Sequence, residues 1–281
     1  MSATRFVDLI HTFDWEQTQT KLGCVTLSFF YFVCVYFATN AISYIFLTYR
    51  NLKTKEKVFW NLAVARGNFG FFAIVIGLWA LFVDNELHKD VVFATTPISH
   101  FAMCTTTGFF LFECLMVLWS DIYFKQFNML LNIHHWVSLI GYSIVLTNGS
   151  THYLGCRGLL LEMSTPFSCL CWTLLKADLA HSFIWKANQF LLVHTFHTRS
   201  IIECYMWYIT YMNWDAIWAS MPAGTFYPLY LQLVLVTFIM TPYWTYKKTV
   251  QMINPVDWNF EESADAKRKK DKSANGHIKA N

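Results

Sequence analysis

The sequence predicts an all-α integral membrane protein: about seven transmembrane helices bundled around a cavity that faces the cytosol. Three observations carry this expectation. Of 281 residues, 55% are hydrophobic and only 14% charged, with a mean hydropathy of +0.33, more apolar surface than one water-soluble core can hide. Apolar runs long enough to cross roughly 30 Å of hydrocarbon as helix recur seven times. Titratable side chains recur inside those runs, where the cost of insertion turns them toward a protein interior or a wet cavity.

The segment 1–21 is polar and mixed in charge, without the short apolar core and small residues of a cleavable signal, so the first span is expected to anchor itself. That span, at about residues 22–47, is rich in aromatic rings suited to lipid and membrane interfaces. The second, 58–83, carries Arg66. The third, 99–120, carries Glu113. The fourth, 127–147, opens with the adjacent pair His134 and His135. The fifth, 158–176, carries Glu162 just before Ser164-Thr165-Pro166. The sixth, 186–211, carries His194, His197, Arg199 and Glu203, and the seventh, 224–246, is followed by a basic tail. The runs are too long, and too little alternating, for the strands of a lipid-facing barrel.

Loop charges set the orientation. Arg50, Lys53, Lys55, Lys57, Lys125, Lys176, Lys186 and eight residues from Lys247 onward fall on one side, and only Arg5, Lys21, Lys89 and Arg157 on the other. The basic side is expected to be cytosolic. The layout is then a lumenal segment 1–21, a first helix and basic loop 22–57, a six-helix domain 58–258 and a basic cytosolic tail 259–281. Asn148-Gly149-Ser150 matches a glycosylation pattern on the lumenal side, so close to the membrane that its use is not expected. The eight cysteines form no CxxC pair and read as packing residues.

At about 1.5 Å per residue from the cytosolic ends, Arg66, Glu113, His134, His135 and His194 share one depth, roughly 10–13 Å into the membrane. Glu162, Arg199 and Glu203 lie deeper, and Arg199 and Glu203 are spaced i, i+4 for pairing on one face. Adjacent histidines point about 100° apart on a helix, so one of the pair acts while the other orients. A neutral imidazole can take the proton of a lipid hydroxyl as it attacks a thioester, with Glu113 or Glu162 holding the imidazolium. Plainer roles stand beside this one. His194 and His197 suit interhelical hydrogen bonds, Glu162 suits the bend that Pro166 makes, Arg66 and Glu113 can neutralise each other, and Arg199 with Glu203 reads as a structural ion pair. A di-iron site is not expected, because an HxxHH box would need histidine where Leu131 stands and no HxxxH partner follows.

His134-His135 followed by Ser138, Leu139 and Tyr142-Ser143 resembles the paired-histidine motif of the TLC-domain family, which includes the ceramide synthases. Four further stretches, Glu56 to Trp60, Leu159 to Phe167, Pro242 to Thr245 and Asn254 to Phe260, resemble the branch of that family linked to neuronal ceroid lipofuscinosis. The resemblance implies an endoplasmic reticulum membrane protein that cycles through the ER-Golgi intermediate compartment and affects membrane lipids. It implies acyl-CoA as co-substrate, no metal, and paired histidines required for acylation, which transfers to His134 and His135. The acceptor it suggests is a glycerophospholipid precursor such as glycerophosphoglycerol, or a sphingoid base; the homeobox-like insert and the acidic motif of the synthases are absent. A cargo receptor for lysosomal enzymes is the alternative, with lumenal loops 84–97 and 148–157 and a tail that engages vesicle coat proteins. Those loops are short against the roughly 800 Å² per partner of a specific interface, and a homodimer would enlarge them. A lipid sensor or carrier is the third reading. Nothing suggests nucleic acid. In the tail, Lys279 follows Ile278 where a dilysine signal needs a second lysine, and Lys267, Arg268, Lys269 and Lys270 suit anionic headgroups or a solvated stretch.

Overall fold

The computed structural model describes residues 3–180, 182–257 and 260; the basic residues from Lys267 to Lys279 lie outside them. Among the described residues every regular element is helical. A short amphipathic helix α1, Ala3–Thr12, precedes α2, Thr18–Ser43. A single turn α3, Leu47–Asn51, leads to α4, Thr54–Leu78, which runs on through a π-helical turn to Val83. Then follow α5, Pro97–Phe124, α6, Met129–Asn148, and α7, His152–Leu160. A 3-10 turn, Leu161–Ser164, joins α7 to α8, Thr165–Lys176. The chain continues through α9, Phe183–Met212, a short α10, Trp214–Ser220, and α11, Ala223–Leu235. A second π-helical turn, Val236–Met240, carries α11 into α12, Thr241–Ile253.

Six of these stretches are long and apolar enough to cross a membrane: Thr18–Ser43, Thr54–Val83, Pro97–Phe124, Met129–Asn148, His152–Lys176 and Ala223–Ile253. The 30-residue α9 matches them in length, but Arg199, Glu203, His194 and His197 dilute its apolarity and it is not among the six. The fifth stretch starts several residues before the expected 158, because Arg157 is absorbed into α7. Its guanidinium donates to the Tyr153 hydroxyl (2.8 Å) and lies over the Tyr205 ring, so a residue that reads as loop finds partners within helix. The last stretch likewise extends past 246 to Ile253, which makes Lys247 and Lys248 helical.

Local sequence explains the boundaries. Thr96 caps α5 by accepting the Ser99 N–H (3.1 Å), with Pro97 at the first helical position, where its missing donor costs nothing. Asn128 caps α6 through the Leu131 N–H (3.2 Å), and Gly149 ends it at φ +58°, a conformation in which glycine carries no Cβ penalty. Pro166 sits in the first turn of α8, just after the 3-10 turn, so the α-helix of the fifth crossing is interrupted where Glu162 sits.

The most enclosed helix is α5, whose buried positions include Met103, Phe109, Phe110, Phe112 and Glu113. Helix α2 lays a stripe of Ser28, Phe32 and Tyr36 against it and turns Leu27 and Phe37 outward. The approach is close at Gly108, where a Cβ would fall 2.6 Å from the Val25 carbonyl oxygen and 2.7 Å from the Ser28 Cβ. Small residues let membrane helices pack this tightly. Gly108→Val is therefore expected to cost about 1–3 kcal/mol by overpacking, measured as a lower thermal transition of the protein in nanodiscs; an unchanged transition would contradict the contact.

Candidate functional site

The fourth and fifth crossings bring their titratable groups together. His134, near the start of α6, places Nε2 4.0 Å from Glu162 Oε1, and each side chain is 14% exposed. The 3-10 turn after α7 aims the carboxylate there, and the Thr165 hydroxyl donates to its other oxygen, Oε2 (2.6 Å). One oxygen is thereby held while the other faces the imidazole. The Trp244 indole meets the His134 ring edge to face at 5.4 Å. His135, about 100° around α6, is buried, with its ring 5.3 Å from that of His134.

Two cavities meet at this point. The wider, of about 300 Å³, is the more polar of the two, with Arg66, Asn128, His135, Lys247, Lys248 and Gln251 set among aromatic and aliphatic neighbours such as Phe59, Leu131 and Trp172. The narrower, of about 90 Å³, is lined mostly by apolar groups, among them Val145, Leu154, Met206, Leu229 and Leu233. Phe110, His134, Glu162 and Arg199 line both. A base and a carboxylate thus stand where a polar space gives way to an apolar one, which suits a molecule with a charged head, a reactive centre and a hydrocarbon tail.

Comparison with known proteins gives the family of the chain. A family model described as a TLC domain, named for TRAM, LAG1 and CLN8, matches residues 59–249. The chain belongs to the TLC-domain family. It is 39% identical over 270 residues to Protein CLN8 of dog, covering 95% of this chain and 93% of that one. It is 44% identical over 216 residues to human Protein CLN8, 76% of each chain. Human TLC domain-containing protein 4 is 27% identical over about half of each chain. No solved structure matches. The TLC match runs from within α4 to within α12 and takes in every residue that lines the two cavities except Gln251.

The other sequence candidates are distributed as follows within the TLC domain. Glu113 lines neither cavity. It is fully buried behind Arg66, whose Nε–H donates to its Oε1 (2.8 Å) and whose Nη2 also reaches it. Of the two carboxylates considered for the histidines, Glu162 is the one at hand. Arg66 itself lines the polar cavity. Arg199 and Glu203 face inward, yet they are joined through Thr241 rather than directly. Arg199 donates to the Ser164 hydroxyl (3.0 Å) and to Thr241 Oγ1 (3.3 Å), and Thr241 donates to Glu203 Oε1 (2.6 Å). Arg199 reaches the cavities and Glu203 does not.

His194 departs from the expected polar layer, and His197 lies away from the cavities. Both are exposed on the outer face of α9, and His194 Nδ1–H donates to the Phe190 carbonyl of its own helix (2.7 Å). The cause is helical phase: Leu192, Phe196, Arg199 and Glu203 define the buried face of α9, and residue 194 lies about 140° around the helix from 199 at 100° per residue. Equal depth did not mean equal direction.

Sequence reading missed Ser138, Gln232, Trp244 and Lys248 as site residues. Ser138 lies one turn after His134 on the same face, a signal that helical spacing carries; Gln232 of α11 donates to its hydroxyl (3.3 Å). Lys248 looked like tail, yet it lines the polar cavity with its ammonium on Gln251 Oε1 (3.0 Å). Among the described residues no three His, Cys, Asp or Glu converge as metal ligands.

The Thr241 bridge gives a direct test of packing between α9 and α12. Thr241→Val keeps shape and removes both hydrogen bonds, leaving Arg199 and Glu203 each short of a buried partner. Stability should fall by about 1–3 kcal/mol, read as a lowered melting transition in nanodiscs, and no change would show the bridge to be idle.

Proposed function

We propose that this protein is an acyl-CoA-dependent lipid acyltransferase of the endoplasmic reticulum membrane, with His134 as general base and Glu162 as the carboxylate that orients and charge-stabilises it. The observation that supports this reading is their 4.0 Å approach at the meeting of a polar and an apolar cavity. The donor's thioester lies at the junction, its coenzyme in the polar mouth near Lys247 and Lys248, and its acyl chain in the apolar chamber. An acceptor hydroxyl gives its proton to His134 Nε2 as its oxygen bonds to the thioester carbon. The carbon–sulfur bond then breaks, and the coenzyme thiolate takes the proton back from the imidazolium. Arg199 stands beside both cavities as the cation nearest the developing oxyanion. A membrane site that excludes water strengthens each of these interactions.

The basic mouth faces the cytosol in this reading, as does the C-terminus, in keeping with the excess of lysine and arginine on that side. The protein cycles between the endoplasmic reticulum and the intermediate compartment, and its acceptor is a glycerophospholipid precursor or a sphingoid base. Purified protein in nanodiscs, given labelled acyl-CoA and a panel of both acceptor classes, tests the proposal. Transfer to a member of the panel by wild-type protein supports it. Binding of acyl-CoA without turnover on any acceptor overturns it in favour of a lipid carrier.

A further inference from the structure

A third cavity lies beside the polar one. It is a recess of about 320 Å³ between the start of α4, the end of α5 and the segment that leads into α6. Lys55, Phe59, Leu62 and Arg66, spaced three and four apart, form one wall. Lys55 and Arg66 are eleven residues apart, so that wall is roughly 16 Å long at the helical rise. Val117, Ser120 and Asp121 of α5 face it. Phe59, Arg66, Asn128 and Leu131 line both the recess and the polar cavity and so form a partition between them. Leu131 stands one helical turn before His134 and His135, which brings the edge of the partition close to the proposed base.

The two mouths carry different cations. Lys247 and Lys248 line the polar cavity and not the recess, whereas Lys55 lines the recess and not the polar cavity. The nearby cations are neutralised: Arg66 by Glu113, and Lys176 by Glu56 (2.5 Å) and Asp257 (2.8 Å). Among the described residues no carboxylate pairs with Lys55. Its ammonium donates to the Gln126 side-chain oxygen and lies 5.7 Å from the Phe260 ring centroid, so its charge is open to an anion. Asp121, the carboxylate of the lining, accepts from the Asn132 amide through Oδ2 (2.6 Å). With Ser120 and Asn128 it supplies hydrogen-bonding partners for hydroxyl groups. One open cation among such groups matches a phosphate joined to glycerol.

Resting on the acyltransfer reading above, we propose that this recess is a separate port for the acyl acceptor, with Lys55 seating the acceptor's phosphate and the edge at Asn128 and Leu131 leading its hydroxyl to His134. The polar cavity, at about 300 Å³, is at the low end for a single ligand. Separate mouths let coenzyme and acceptor be bound together. A sphingoid base brings an ammonium group, which Lys55 repels, so the recess takes the phosphate-bearing class of acceptor. The phosphate arrives either on a soluble glycerol diester or on a lipid of the surrounding leaflet.

The test is transfer by full-length protein in phosphatidylcholine nanodiscs, with equilibrium binding measured in parallel. The acceptor probes are glycerophosphoglycerol as the soluble phosphodiester, lysophosphatidylglycerol as the membrane-borne one, and sphinganine as the ammonium. Lys55→Gln should raise the KM and Kd of a phosphodiester probe roughly ten- to a hundredfold, with little change in kcat or in acyl-CoA affinity. Lys55→Arg should keep most of the wild-type affinity, and Lys248→Gln should weaken acyl-CoA binding alone. A general loss of folding would move both substrates together. The phosphodiester probe that responds to Lys55→Gln identifies the source of the phosphate. Transfer whose acceptor KM ignores Lys55, or that prefers sphinganine, overturns the port and leaves the acyltransferase standing. Lys55-dependent binding of a phosphodiester without any transfer upholds the port and removes the acyltransferase.

Discussion

His134→Ala is expected to lower acyl transfer by roughly 10²- to 10⁴-fold, the range that a positioned general base supplies, while leaving the protein folded. The imidazole borders both cavities and touches Trp244 and Glu162, so its removal enlarges an existing space more than it opens a new one. Glu162→Gln keeps an acceptor for the Thr165 hydroxyl and loses only the charge facing His134; its expected loss is smaller, about ten- to a hundredfold. His135→Ala removes a ring packed beside Phe110 and His134 and acts by misplacing its neighbour. The measurement is single-turnover transfer in nanodiscs beside a thermal melt for each variant. A histidine that merely packs would show the opposite pattern, a lowered melt with transfer preserved.

The second large effect is on stability and concerns Arg66 and Glu113. Glu113 is fully buried and Arg66 nearly so, at the edge of the polar cavity, and a carboxylate sealed inside a membrane protein has no water to fall back on. Glu113→Ala leaves a guanidinium without its counter-charge and should destabilise the protein by about 3–5 kcal/mol. Arg66→Met alone strands a buried carboxylate and should cost a similar amount. The double variant Arg66→Met with Glu113→Leu should recover most of that loss, because a well-packed apolar pair replaces a buried ion pair at little net cost. Melting curves for the four proteins form a double-mutant cycle. Additive losses would show that the two residues act separately, and full transfer activity in the double variant would assign the pair to architecture alone.

Much of the fold was legible because membrane helices announce themselves by length and apolarity. What the sequence hid were the places where a charge is satisfied locally. Arg157 looks like loop and lies in α7, because Tyr153 and Tyr205 surround its guanidinium. Lys247 and Lys248 look like tail and lie in α12, because a polar cavity receives them. For the site, the histidine pair stood out as paired titratable groups at the head of an apolar run, and its partner was narrowed to two carboxylates. Choosing between them needed the direction of each side chain. Glu113 is taken by Arg66, and the 3-10 turn before Pro166 presents Glu162 to His134. His194 and His197 show the converse, since depth along an axis places a residue in a layer and only helical phase tells inside from outside. Gln232 and Trp244 could not be found by spacing within one element, because they reach the site from α11 and α12, the last crossing, which carries no histidine or carboxylate to mark the position.

The account rests on one arrangement, a reactive centre held between His134 and Glu162 with its acyl chain running down the apolar chamber. An experimentally determined structure with a non-hydrolysable acyl-CoA thioether bound tests it most directly. The account predicts the sulfur beside the His134 ring, the coenzyme phosphates toward Lys247 and Lys248, and the acyl chain along Val145, Leu154 and Leu233. Density for the acyl chain anywhere else, or a chamber filled by side chains with His134 sealed from the ligand, would contradict it.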